Sequence, residues 1–171
     1  LETKSDYEGD LMANNLFMEI AGIPGESEQD GYEGLVQIES WSWSMDQEGS
    51  AHRGGGSGTG RVDVGDLIVT KFTDKSTPIL YTKCATGEHI DKVVLHNVKA
   101  GGEALEYLTI TMEEVIITHV GMTCTSEGER SLEDVNFSFA RYTLSYTAQK
   151  GDGSGDAAVE VGFDIAKNKA S

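Results

Sequence analysis

The residues of this chain best suited to chemistry are a glycine run, four histidines, two cysteines and a pair of aspartates. Gly55-Gly56-Ser57-Gly58-Thr59-Gly60-Arg61-Val62 has its outer glycines spaced as in a phosphate-cradling loop. It lacks the lysine and the following Ser or Thr that hold phosphate and Mg²⁺, and it leads into a strand instead of opening a helix, so nucleotide chemistry is not expected. His52, His89, His96 and His119 show no metal-ligand spacing, and His96 and His119 read as strand residues. Asp152 and Asp156 lie in a glycine-rich loop whose spacing fits no calcium motif, which leaves a solvated turn. Serines and histidines are present without a nucleophile elbow, and neither cysteine belongs to a Cys-His signature. The chain is therefore expected to be no enzyme and to carry no cofactor or metal.

Charge narrows the partners. Thirteen Lys and Arg against 29 Asp and Glu leave a formal charge of −16 over 171 residues. Nucleic-acid backbones need clustered cations, and so do anionic membrane surfaces, so both are excluded as partners. Solubility accounts for the acid, and protein partners with basic patches are the sharper alternative. No apolar run approaches the ~20 residues of a membrane span. The start, Leu1 to Leu11, has no basic and apolar signal pattern. Residues 1–11 read as an expression remnant or disordered extension, and 12–171 as one domain. Cys84 falls on a predicted helix and Cys124 in a polar loop; a bridge between them cannot be deduced, and two thiols without a framework suit a reducing cytoplasm.

The elements that position these residues are mostly strands. Leu16, Met18 and Ile20 alternate in a first strand that ends at Gly22-Ile23-Pro24-Gly25. Val36 to Met45 reads as one long strand, with Trp41, Trp43 and Met45 on a core face and Ile38, Ser40, Ser42 and Ser44 on the other. The glycine run should protrude as a loop. Strands follow over Val62–Phe72, Asp91–Lys99, Leu105–Met112, Val115–Val120 and Val135–Thr147. A bulge or kink is expected at Glu113-Glu114. In the last of these strands Val135, Phe137 and Phe139 have one parity and Tyr142, Leu144 and Tyr146 the other, so it holds either a bulge or two buried faces. Val159, Val161, Phe163 and Ile165 alternate in a closing strand. The single helix signal lies between: Ser76 or Thr77 as cap, Pro78 in the first turn, Ile79, Leu80, Lys83 and Cys84 at helical spacing, and Gly87 as the left-handed stop. Many strands with short turns and one helix imply a mainly β sandwich or barrel.

Three ordered blocks carry a family resemblance. They are Gly25-Glu26-Ser27 with the Trp41-Ser42-Trp43 strand and the glycine loop; the helix block from Lys71 to Ile90; and Lys99-Ala100-Gly101-Gly102-Glu103 with Glu106-Tyr107-Leu108-Thr109-Ile110-Thr111, followed by Val135 to Ala140. The ending Gly162-Phe163-Asp164-Ile165 with Asn168 fits as well. From Met12 to Lys169 the chain resembles haemolysin-coregulated protein, Hcp, the tube protein of bacterial type VI secretion systems. Phe163 stands where many relatives have tryptophan, and the residues before Met12 lie outside the pattern.

The resemblance implies a β-barrel of two sheets with a short flanking helix, assembled as a hexameric ring. Stacked rings would form the inner tube, hold effector proteins in the lumen, and work with sheath and spike proteins. Such a chain is cytoplasmic during assembly and is then secreted without a signal peptide. On this reading Ser40, Ser42 and Ser44 face the lumen and touch cargo, since small polar groups hold varied cargo weakly. Gly54, Gly55, Gly56, Ser57 and Gly58 of the loop, with Lys99, Gly101, Gly102, Glu103 and His89, serve ring or stacking contacts. A monomeric secreted β-sandwich that binds carbohydrate or a host receptor is the alternative, and a small hydrolase a third reading.

Overall fold

The computed structural model describes residues 14–47, 49, 61–99 and 104–171. The 1–11 segment, the run from His52 to Gly60 and the Gly101–Glu103 turn therefore lie outside the described residues. The elements in chain order are β1 (Asn14–Ile20), β2 (Val36–Ile38), β3 (Ser40–Ser42), β4 (Met45–Asp46), β5 (Asp63–Val64), β6 (Leu67–Phe72), α1 (Thr77–Thr86), β7 (Ile90–Lys99), β8 (Leu105–Thr123), β9 (Leu132–Gln149), β10 (Gly155–Asp164) and β11 (Lys169–Ala170). The strands form a nine-stranded sheet and a two-stranded ribbon of β4 and β5. All pairings are antiparallel.

The large sheet closes on itself because β9 is long enough to hold two partners on one side. Its first half pairs β6 and its second half pairs β10, while β8 runs along the other edge. From β8 the path continues through β7 and β1 to β2, and from β6 to β3. One chain segment, Val36 to Ser42, thus links the two ends. The predicted single strand there is divided: β2 pairs β1, and after Glu39 the chain changes partner to β6. The change resets the face. Ile38, expected beside the serines, is buried in the core, whereas Trp41 and Trp43 pack against that core as expected. Met45, expected with the tryptophans, is 40% exposed because it sits on the ribbon. The predicted Val62–Phe72 strand is likewise interrupted, between Val64 and Leu67.

The parity switch in β9 is a kink shared with its neighbour. Met112 lies opposite Tyr142 and Val115 opposite Phe139, with Glu113 facing Arg141 between them. In β8 the buried positions change from even numbers (Ile110, Met112) to odd (Val115, Ile117), and in β9 the core-facing positions change from odd (Val135, Phe137, Phe139) to even (the partly buried Tyr142 and Leu144). Glu114 takes the strain with φ 53°, so the kink expected at Glu113-Glu114 is present, while the register shift lies further on, between Ile117 and His119. Arg141 spans the bend by donating to Glu113 at 3.3 Å and Glu114 at 3.1 Å.

Helix α1 starts and stops as read, with Pro78 in its first turn and Gly87 at φ 65°. Its cap differs. Ser76 makes no side-chain cap bond; its amide and hydroxyl both donate to Asp74. Below the first turn, Lys71 and Glu133 form a fully buried ion pair, joined by Asp74 and Thr77. Lys71 also donates to the Phe72 carbonyl at 2.8 Å. Leu80 closes the contact by entering the barrel core.

Candidate functional site

The outward face of four adjacent strands, β3, β6, β9 and β8, forms the surface on which the serines lie. Residues directly opposite in antiparallel strands share a face. Ser42 is opposite Ile68, Ile68 opposite Asn136, and Asn136 opposite His119. The adjacent row is Ser40, Thr70, Asp134 and Gly121. Ser40, Ser42 and Ser44 are all exposed, and Ser44 leads from β3 toward the ribbon, where its carbonyl accepts from Gly65. The reverse side of the same strands is core, built from Leu67, Val69, Val135 and Phe137.

Two carboxylates on this face are held by neighbours. Asp134 Oδ2 lies 3.6 Å from His119 Nε2. The pair passes over Gly121, where a Cβ would stand 2.8 Å from Asp134 Oδ2 and 3.0 Å from His119 Nε2. A Cβ there would make the exposed ends of both side chains shift aside. Asp66, just before β6, accepts from the Thr118 hydroxyl. Sequence reading put Ser40 and Ser42 on a polar face but did not gather Asp66, Thr118, His119 and Asp134 beside them, since these come together only through strand pairing.

Of the expected ring and stacking residues, Lys99 and His89 are among the described residues. Lys99 ends β7, with Nζ 5.4 Å from the Tyr107 ring centroid and 3.5 Å from Gln149 Oε1. His89 is exposed just before the start of β7, about 30 Å away at ~3.3 Å per strand residue. The two do not share one patch. The exit of the glycine run is anchored, since Arg61 donates to the Ile165 carbonyl at 2.7 Å.

A different exposed surface was read as an ordinary strand. Val159 and Val161 of β10 are 67% and 56% exposed, and lie opposite Tyr146, 49% exposed, and Leu144. At its inner end this stripe joins the packed rings of Phe163, Tyr142, Trp43 and Phe139. The far edge of β10 pairs only at Phe163 and Asp164, so among the described residues no strand covers the edge from Gly155 to Val161.

On the opposite side of the barrel, Tyr32 fastens the 22–35 loop to the sheet. Its ring stacks on Phe17 at 4.7 Å and its hydroxyl donates to Glu106 at 3.0 Å. Glu106 also accepts from Thr109 and from His96 Nδ1, both at 2.8 Å. The His96 hydrogen bond, aided by Thr109 and Tyr32 and opposed by burial, holds the Glu106 carboxyl down to about 2. Burial, with the Glu106 bond, pushes Tyr32 up to about 12. This cluster clamps the loop to the sheet.

Among the described residues no cluster of three or more His, Cys, Asp or Glu could hold a metal ion. Cys84 and Cys124 are free. No described helix is long and apolar enough to cross a membrane.

The fold and its faces match known proteins. The model of a family described as type VI secretion system effector, Hcp, matches residues 17–146. The chain belongs to the Hcp family. It is 40% identical to the Hcp1 protein of Pseudomonas aeruginosa over 159 residues, covering 92% of this chain and 98% of that protein. The solved Hcp1 structure from Salmonella typhimurium superposes with a TM-score of 0.78 at 32% identity, covering 94% of this chain and all of that one. A type VI secretion system effector structure from Yersinia pestis gives 0.70 at 30% identity, over 87% of this chain and 98% of that one. This Hcp chain therefore has the family's mainly β fold with one short helix, and its function lies in type VI secretion.

Proposed function

We propose that this Hcp chain is the ring-forming subunit of a type VI secretion inner tube, six copies closing head to tail around a lumen that receives effector proteins. The observation that carries the reading is the Tyr146, Val159 and Val161 stripe beside the open edge of β10. A chain with charge −16 has little reason to leave three large apolar side chains together in water unless another surface covers them. An uncovered strand edge has the same requirement. Closed rings need two different, complementary patches on each copy, and this stripe supplies one.

The small polar face of Ser40 and Ser42 is then the lumen wall, where cargo is held without strong commitment. The run from Gly54 to Gly58 and the Lys99–Glu103 turn serve stacking, with sheath and spike proteins as further partners. Synthesis in the cytoplasm is followed by export with the tube.

Light scattering on the purified protein tests the assembly. Six copies of an 18.4 kDa chain give about 110 kDa. A species of that mass, seen as rings by negative stain, is expected. A monomer that persists across salt and concentration would overturn the ring and favour a single-domain binding module.

A further inference from the structure

Resting on the lumen reading of the serine face, we infer that this face selects protein cargo presenting an apolar residue flanked by basic side chains. Ile68 stands at its centre, 40% exposed between Ser42 and Asn136, the one large apolar side chain in those two rows. Around it every neighbour is small or polar: Ser40, Thr70, Asn136 and Gly121. An apolar centre within a polar surround is the anatomy of a protein contact. Asp66 lies about two strand positions before Ile68, and Asp134 pairs with Thr70, two positions after it. At ~3.3 Å per residue the two carboxylates flank Ile68 by roughly 7 Å on either side along the strand direction.

Asp66 accepts from Thr118 through Oδ2, and Asp134 Oδ2 lies 3.6 Å from the ring of the half-exposed His119. The Oδ1 atom of each has no hydrogen-bond partner among the described residues. Gly121 keeps the His119–Asp134 pair low against the sheet, where an added Cβ would collide with it. The two rows hold no Lys or Arg. A partner with an acidic surface would meet two carboxylates with no Lys or Arg in their rows, whereas Lys or Arg on the partner would find acceptors there. Sixfold repetition would set twelve such carboxylates around one lumen.

The test uses two small proteins of the same fold and opposite charge as probes, lysozyme (basic) and α-lactalbumin (acidic), titrated against the full chain by fluorescence anisotropy. Four forms are compared: wild type, Asp66→Asn with Asp134→Asn, Ser42→Gln, and a charge-matched control, Glu28→Gln with Glu33→Gln, on the exposed 22–35 loop. Asparagine keeps an acceptor for Thr118, and Asp134 is half exposed, so the variant should melt with wild type.

Lysozyme is expected to bind wild type and the control alike. It should lose about fivefold in affinity with Asp66→Asn and Asp134→Asn, as two weakened surface charge contacts imply. α-Lactalbumin is expected to bind none of them. If Ser42→Gln weakens lysozyme but the double aspartate variant loses no more than the control, the charge selectivity is wrong and the cargo face stands. If neither face variant weakens binding, the cargo face itself is wrong.

Discussion

Replacing Val159 and Val161 by aspartate should dissolve the ring while leaving the subunit folded. In the isolated chain these side chains are 67% and 56% exposed, so a carboxylate there is solvated and the fold has little to lose. In a closed ring the same positions lie in the seam. Fully burying a valine contributes about 1.5–3 kcal/mol, and about half to two-thirds of that remains to be gained here, so about 1–2 kcal/mol each. Tyr146, half exposed, adds about 2 kcal/mol from the remainder of its ring area. The stripe is then worth about 5 kcal/mol per seam, comparable with the lower estimates for the association cost of joining two subunits. Aspartates remove the valine share and add the desolvation of two carboxylates, which is several kcal/mol when no cation meets them. At micromolar protein, sedimentation or light scattering should read about 18 kDa in place of about 110 kDa, with an unchanged circular dichroism spectrum. A double variant that keeps wild-type mass and melting point would refute the seam, since no ring contact could then depend on this stripe.

Three further outcomes follow from other parts of the molecule. Lys71→Met should lower unfolding free energy by about 3–5 kcal/mol in denaturant titration, because Glu133 would be left buried without its cation; Lys71→Met with Glu133→Leu should recover most of that loss, and a double variant as weak as the single one would refute the explanation. Glu106 is held at about 2 when folded against an ordinary 4.5, so its contribution is present above pH 4.5 and fades as pH falls toward 2. Tyr32→Phe removes one donor to that carboxylate and should lower the unfolding free energy at neutral pH by roughly 1 kcal/mol after allowance for its part exposure, with a smaller further drop on acidification; identical pH profiles for the two proteins would contradict this. With −16 on each chain, stacking of rings is opposed by repulsion and should be promoted by salt, so electron micrographs dominated by long filaments at low salt that shorten as salt rises would refute the electrostatic argument.

What could be read in advance was what the chain encodes locally. The helix was legible because Pro78 and Gly87 mark its two ends by backbone geometry alone. The tryptophans could be assigned to the core side because their size leaves few other places, and Trp41 is further fixed by donating to the buried Asn97 at 2.7 Å. Ile38 was misassigned because alternation was carried through Glu39, where the chain leaves β1 for β6; a change of partner strand has no local signature. Lys71 and Glu133, 62 positions apart, would each pass for surface residues until the fold puts them together beneath α1. The kink was half legible: two buried phases were visible in β9, and the same change in β8, from Met112 to Val115, would have identified a shared bend.

The functional surface resists local reading for the same reason, and more strongly. Its rows take one residue from each of four strands, so no contiguous stretch carries more than two or three of its members. Small or polar residues at those positions look like ordinary solvent-facing choices in each strand taken singly. Only the register sets Ile68 among them with Asp66 and Asp134 to either side. The β10 stripe presents the opposite problem: Val159, Val161 and Phe163 alternate as a core strand should, and the periodicity is sound, but the core it implies is not contained in one copy. An alternating apolar strand that the monomer leaves exposed is what the proposed ring would cover. In this protein the departure from the monomer's own core therefore carries more functional information than the motifs that first drew notice.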